Sequence, residues 1–218
     1  MTRVKICGVT TEADLETAVD AGADAVGFVS EVSVDSPRAI SIDRVASLVA
    51  ATPPMVTSVL VTMADVDRTI ELVDAAEPDV VQVHGEQTPG DLAYLRSKVN
   101  AQVALAIDAD AVETATRYEE LVDALVVDSV DESGAGGTGE THDWGRTRQA
   151  VASLSTPVVL AGGLTPGNVA AAVRAVEPFA VDVSSGVEAT GGRKDADAVR
   201  SFTENANTAR TGADAVEV

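Results

Sequence analysis

The chain has 218 residues, with 35 acidic side chains against 15 basic ones and a formal charge of −20. That field repels nucleic acid and anionic membrane surfaces, and a single cysteine excludes an internal disulfide and a cysteine-rich zinc site. Hydrophobic residues make up 45% and aromatics only 3%, so a sizeable core has to be built mostly from Ala and Val.

The first strand is expected over residues 4–7, "VKIC", followed by Gly8 and a helix over 11–21. That helix has Leu15, Ala18 and Val19 on one face and Glu12, Asp14 and Glu16 early, where its dipole favours acids. Strand two is expected over 25–29 and its helix over 42–50; strand three over 56–61 and its helix over 64–75. Strands follow at 80–83, 103–107, 124–128, 158–160 and 180–183, with helices at 88–97, 111–119, 144–153, 166–175 and 194–205. The strands read as continuous apolar runs, as parallel strands covered on both faces do. Eight βα units of about 25 residues predict a (β/α)8 TIM barrel. A doubly wound open sheet is the competitor, and it leaves edge strands. The barrel is expected to be a single domain over residues 1–206, with a polar, weakly patterned tail over 207–218.

No apolar run approaches the ~18 residues of a membrane span, and the first residues lead directly into a strand rather than a signal peptide. A cytoplasmic location without membrane partners is therefore expected. Lysine is confined to Lys5, Lys98 and Lys194, and the acidic excess is spread along the whole chain. Together with the small core side chains, this points to a salty cytoplasm, where ions screen the self-repulsion.

In such a barrel the chemistry sits at the C-terminal strand ends and in the loops that follow. Those positions hold Cys7-Gly8, Ser36-Pro37-Arg38, Gln82-Val83-His84-Gly85-Glu86, Asp108, Asp128, Ala161-Gly162-Gly163-Leu164-Thr165 and the run from Asp182 to Glu188. Glycine-rich turns after strands seven and eight often cradle phosphate through backbone amides. Gly162, Gly163, Ser185 and Gly186 are the candidates there, against the plain alternative that these glycines turn tight corners. A third such loop, "SGAGGTGETHDW", offers Gly137 and Thr138 to close over a ligand.

Arg38 carries a planar fork suited to a carboxylate or phosphate, or else a surface ion pair. His84 is a base, a substrate contact or a structural residue. With only His84 and His142, and no spaced carboxylate cluster, no metal site is expected. Cys7 is either a small core hydrophobe or, facing the mouth before a helix capped by Thr10 or Thr11, a thiolate favoured by that helix's positive end. Asp128 stands across the mouth as a potential proton donor, and it needs burial or a nearby anion to stay protonated.

Taken in order, "KICGVT", "DAVGF…SPR", "VQVHGE", "VVDS…GGTG…DW", "LAGGLTPGNV" and "VDVSSGVE…GRKD" resemble the phosphoribosylanthranilate isomerase family from Lys5 to about Phe202. The resemblance implies an Amadori rearrangement of N-(5′-phosphoribosyl)anthranilate in tryptophan synthesis, without cofactor or metal, by a monomer or homodimer. Position by position it implies Cys7 as general base, Asp128 as general acid and Arg38 as holder of the anthranilate carboxylate. Gly137, Gly162, Gly163, Ser185 and Gly186 fall in its phosphate loops. One stretch departs from the family: before Ser36 an aromatic and a lysine are usual, whereas here residues 29–35 read "VSEVSVD".

Two other readings stay open at this point. A related phosphosugar aldose–ketose isomerase would resemble a pair of catalytic aspartates, where strand one here carries Cys7. A non-catalytic phosphate-binding barrel would keep the glycine loops and have no need of Cys7 and Asp128 together.

Overall fold

A computed structural model describes residues 2–85, 87–128 and 143–209. Eight parallel strands close into a barrel in chain order: β1 (Arg3–Cys7), β2 (Ala25–Val29), β3 (Thr57–Thr62), β4 (Val80–Val83), β5 (Gln102–Asp108), β6 (Ala124–Asp128), β7 (Val158–Leu160) and β8 (Ala180–Val183). The β8–β1 pairing seals it, with Lys5 in register with Asp182, while Cys7 pairs with Gly27 on the other side. Closure removes the edges that an open sheet would expose.

Side chains alternate across this sheet as strand geometry requires. Ile6, Phe28, Leu60, Leu125 and Leu160 point outward into a continuous core with helix residues such as Leu48, Leu72, Leu92 and Phe202. The inward positions are smaller: Cys7, Val29, Val59 and Val61 form one cluster, and Ala104, Val126 and Ala161 another. The large apolar residues thus bind helices to sheet, and the barrel interior is left with space and with the polar side chains.

Six helices ring the barrel between strands and a seventh follows β8: α1 (Glu12–Asp20), α2 (Ile42–Ala51), α3 (Val66–Ala76), α4 (Pro89–Lys98), α5 (Trp144–Val151), α6 (Val169–Val176) and α7 (Ala196–Thr208). Local chemistry starts most of them. Thr11, Ser41, Asp65, Thr88, Asp143 and Asp195 each accept a backbone N–H of the first turn.

Four local expectations are corrected. The segment after β5 is a 3-10 helix, Ala109–Arg117, with a non-helical break at Ala111. Asp108 starts this turn by accepting the Asp110 N–H at 2.9 Å. The helix expected from Pro166 begins at Val169, because Asn168 ties the preceding turn, accepting from Thr165 N and donating to Gly163 O. The helix expected from Lys194 begins at Ala196, and an unforeseen hairpin precedes it: β9 (Glu188–Thr190) with β10 (Arg193–Lys194). α7 also continues through Asn207 and Thr208, which the sequence reading assigns to the tail.

Candidate active site

One cavity of about 810 Å³, its open mouth included, lies at the C-terminal ends of the strands. Its wall brings together Cys7 from β1, Arg38 after β2, His84 after β4, Asp128 from β6, Gly162 and Gly163 after β7, and Ser185 and Gly186 after β8. Of the strand-end positions named from the sequence, Asp108, Thr165 and Glu188 are among those not in that wall, and Glu86, Gly137 and Thr138 lie outside the described residues.

The glycine turns are shaped for close approach. Gly162 and Gly163 take φ of +83° and +59°, which glycine reaches without the cost that a side chain would carry. At Gly186 a Cβ would lie 1.9 Å from the Leu164 carbonyl oxygen, so the two loops touch backbone to backbone. Ser184 lines the cavity too, and its hydroxyl is buried with no hydrogen-bond partner among the described residues.

Arg38 is engaged in a largely buried ion pair. Its Nε and Nη2 donate to the two carboxylate oxygens of Glu188 at 2.8 and 2.9 Å. Glu188 also accepts from Lys194 Nζ at 3.0 Å, and that ammonium donates to Ser184 O at 3.1 Å. Burial pushes the Glu188 carboxyl up, but the Arg38 hydrogen bond and the Lys194 charge outweigh it and hold the group below its ordinary range. The β9–β10 hairpin is fixed to the first loop as well, because Thr10 Oγ1 donates to Gly192 O and Lys194 N donates to Asp14. Arg38 is thereby held against a braced frame with one edge in the cavity.

His84 meets the Gln82 side-chain amide at 2.8 Å, Nε2 to Nε2. An amide N–H makes that contact only to a bare ring nitrogen. Burial and the Lys5 charge lower the His84 pKa to about 4, so the imidazole is neutral at physiological pH. It can offer a hydrogen bond but no charge.

Cys7 departs from the sequence expectation in one respect. Thr11 does cap α1, yet burial dominates and pushes the thiol up from its ordinary value. The largest opposing influence is the Lys5 ammonium. Lys5 is clamped to Asp182, Nζ to Oδ2, at 2.6 Å. Burial alone would lower the Lys5 pKa, and Asp182 outweighs it and raises it.

Two buried charged side chains beside the site, Lys5 and Lys194, were missed by sequence reasoning. Their signal was scarcity: in a chain with three lysines, these two are only 6% and 9% exposed, and Lys98 alone is on the surface. The acidic lead-in to Ser36 also resolves into something simple. Val32 and Val34 face the cavity and supply apolar wall where the family usually has an aromatic. Among the described residues no cluster of three or more His, Cys, Asp or Glu side chains is arranged to hold a metal, and no helix is long and apolar enough to cross a membrane.

Comparison with known proteins agrees with this geometry. Residues 4–205 match the family model described as N-(5′-phosphoribosyl)anthranilate (PRA) isomerase. The N-(5′-phosphoribosyl)anthranilate isomerase of Natronomonas pharaonis is 61% identical over 207 residues, covering 94% of this chain and 98% of the relative. The phosphoribosyl anthranilate isomerase of Thermotoga maritima superposes with a TM-score of 0.84 at 35% identity, covering 95% and 99% of the two chains. A phosphoribosyl anthranilate isomerase solved in complex with reduced 1-(o-carboxyphenylamino)-1-deoxyribulose 5-phosphate superposes at 0.80, with 33% identity over 95% and 99%. Fold, ordered motifs and cavity agree, and the chain belongs to the phosphoribosylanthranilate isomerase family of aldose–ketose isomerases.

Proposed function

We propose that this chain converts N-(5′-phosphoribosyl)anthranilate to 1-(2-carboxyphenylamino)-1-deoxyribulose 5-phosphate, with Asp128 as general acid and Cys7 as general base. The observation that carries this reading is a cavity on whose wall a thiol, a carboxyl, an arginine edge and two glycine turns converge. A substrate with an anthranilate carboxylate at one end and a phosphate at the other needs cationic or amide donors at both ends. Arg38 supplies the first, and the backbone around Gly162, Gly163, Ser185 and Gly186 supplies the second. Val32 and Val34 flank the ring between them.

The reaction needs two proton transfers. Asp128 gives a proton to the ribose ring oxygen, the bond from that oxygen to C1′ breaks, and the nitrogen lone pair leaves an iminium. Cys7, as thiolate, then takes the proton from C2′, and the enolamine relaxes to the ketone. No electron acceptor is required, since C1′ is reduced as C2′ is oxidised. Each well-placed proton-transfer group contributes ~10²–10⁴-fold. His84, neutral and buried, contributes a hydrogen bond at most. The phosphate-bearing product analogue bound by the superposing isomerase supports the choice of ligand.

The purified chain is expected to consume phosphoribosylanthranilate, followed by loss of its fluorescence. A non-catalytic phosphate-binding barrel would bind the analogue and leave that signal unchanged, and such a result would overturn the assignment.

A further inference from the structure

We propose that Lys5, clamped by Asp182 beneath the cavity, is the positioning residue that favours the proton-accepting form of Cys7 against its burial. This rests on Cys7 acting as the base, as argued above. Lys5 and Cys7 are two residues apart on β1 and so project to the same inner face. The neighbouring strand makes room for both at one point. A Cβ on Gly27 would lie 2.7 Å from Cys7 Sγ and 3.2 Å from Lys5 Cε. On the other flank Asp182, in register with Lys5, grips the ammonium at 2.6 Å.

A buried ion pair is a poor device for stability, because desolvation of two charges consumes most of their attraction. Alanine and valine fill the other inward positions nearby, such as Ala104, Val126 and Val59. The pair is also incompletely satisfied: Asp182 Oδ1 is buried without a hydrogen-bond partner among the described residues. Such a charge at such a place is explained by its neighbour. A buried thiol resists ionisation, and burial is the leading influence on Cys7. The charged groups that act on the thiol are Lys5, Asp182 and Lys194; Asp128, His84 and Arg38, itself paired to Glu188, line the cavity. Of these, Lys5 opposes burial most strongly, and its pull exceeds the push of Asp182. When the thiolate takes the C2′ proton it becomes neutral, and Lys5 stays an ammonium held by Asp182, so no further charge moves.

The test uses the chain's single cysteine, whose ionisation is read without substrate by thiolate ultraviolet absorbance and by the pH dependence of iodoacetamide alkylation. Lys5→Met should move the titration midpoint upward by about one unit, a tenfold loss of thiolate at a given lower pH. That variant leaves Asp182 buried and unpaired, so Lys5→Met/Asp182→Asn is the companion that removes both charges. It should fold, keep a smaller upward shift, and show lower kcat with KM near wild type. A folded double variant whose thiol titrates as in the wild type would overturn the proposal. The thiol readout does not depend on isomerase activity, so an inactive wild-type enzyme would count against the assigned reaction and leave this result standing.

Discussion

Ile6 and Cys7 are neighbours on β1, yet they belong to different regions of the molecule. Ile6 is fully buried in the layer between sheet and helices. Cys7 is nearly as buried but lines the cavity. The same division runs around the barrel: the outer face carries the bulk that holds the fold together, and the inner face carries small residues interrupted by Lys5, Gln82, His84, Asp128 and Asp182. Burial by itself therefore says little about role. What separates the two regions is whether a buried residue is apolar and packed, or polar and held by a specific partner.

That division predicts opposite responses to substitution. Cys7→Ala and Asp128→Asn should each lower turnover ~10²–10⁴-fold while thermal melting stays close to wild type; turnover close to wild type in either variant would remove that residue from the mechanism. Leu60→Ala, on the outer face, should cost about 2–5 kcal/mol of stability in denaturant titration, with kcat per folded molecule unchanged. A large kcat loss there would blur the two regions.

His84 lies on the inner side but should reveal itself through stability. Its folded pKa of about 4 lies below the unfolded value near 6.5. The unfolded chain therefore binds more protons between these values, and stability falls as pH drops through that window and is level above it. The contribution is about 3 kcal/mol. His84→Gln should flatten that part of the stability–pH curve relative to wild type; parallel curves would contradict the depressed pKa.

Arg38→Ala should raise KM about 10–100-fold, the worth of one charged hydrogen-bonded contact, with kcat near wild type. A large loss at saturating substrate would give the arginine a different part. The smallest local effect is expected on the surface, where exposed pairs such as Arg200–Asp197 contribute almost nothing. The distributed charge of −20 acts differently, and the melting temperature should rise with added KCl as repulsion is screened. A melting temperature indifferent to salt would count against salt adaptation.

The legibility of the chain follows the same boundary. β2, β4, β6, β7 and β8 coincide with their expected ranges, because runs covered on both faces leave a continuous apolar signature. The 3-10 helix after β5 and the β9–β10 hairpin were not legible. The first is decided by a kink at Ala111, and the second by long-range bonds from Thr10 and Asp14 that no local pattern records. Cys7, Arg38, Asp128 and the glycines could be nominated because they stand at strand ends. Their electrical state could not: burial and the Lys5 ammonium act on the Cys7 thiol, and neither is visible in a local pattern.

The order of strands, their apolar content, the helix caps and the motifs at each strand end were determined by the sequence, since each depends on neighbours a few residues away. Barrel closure decided the rest. It brings Lys5 within 2.6 Å of Asp182 and Arg38 within 2.8 Å of Glu188, across 177 and 150 residues of chain. Charges interact through space and through the low-dielectric interior that closure creates, so only the folded barrel sets which side chain pairs, which proton is held and which group is left to do chemistry.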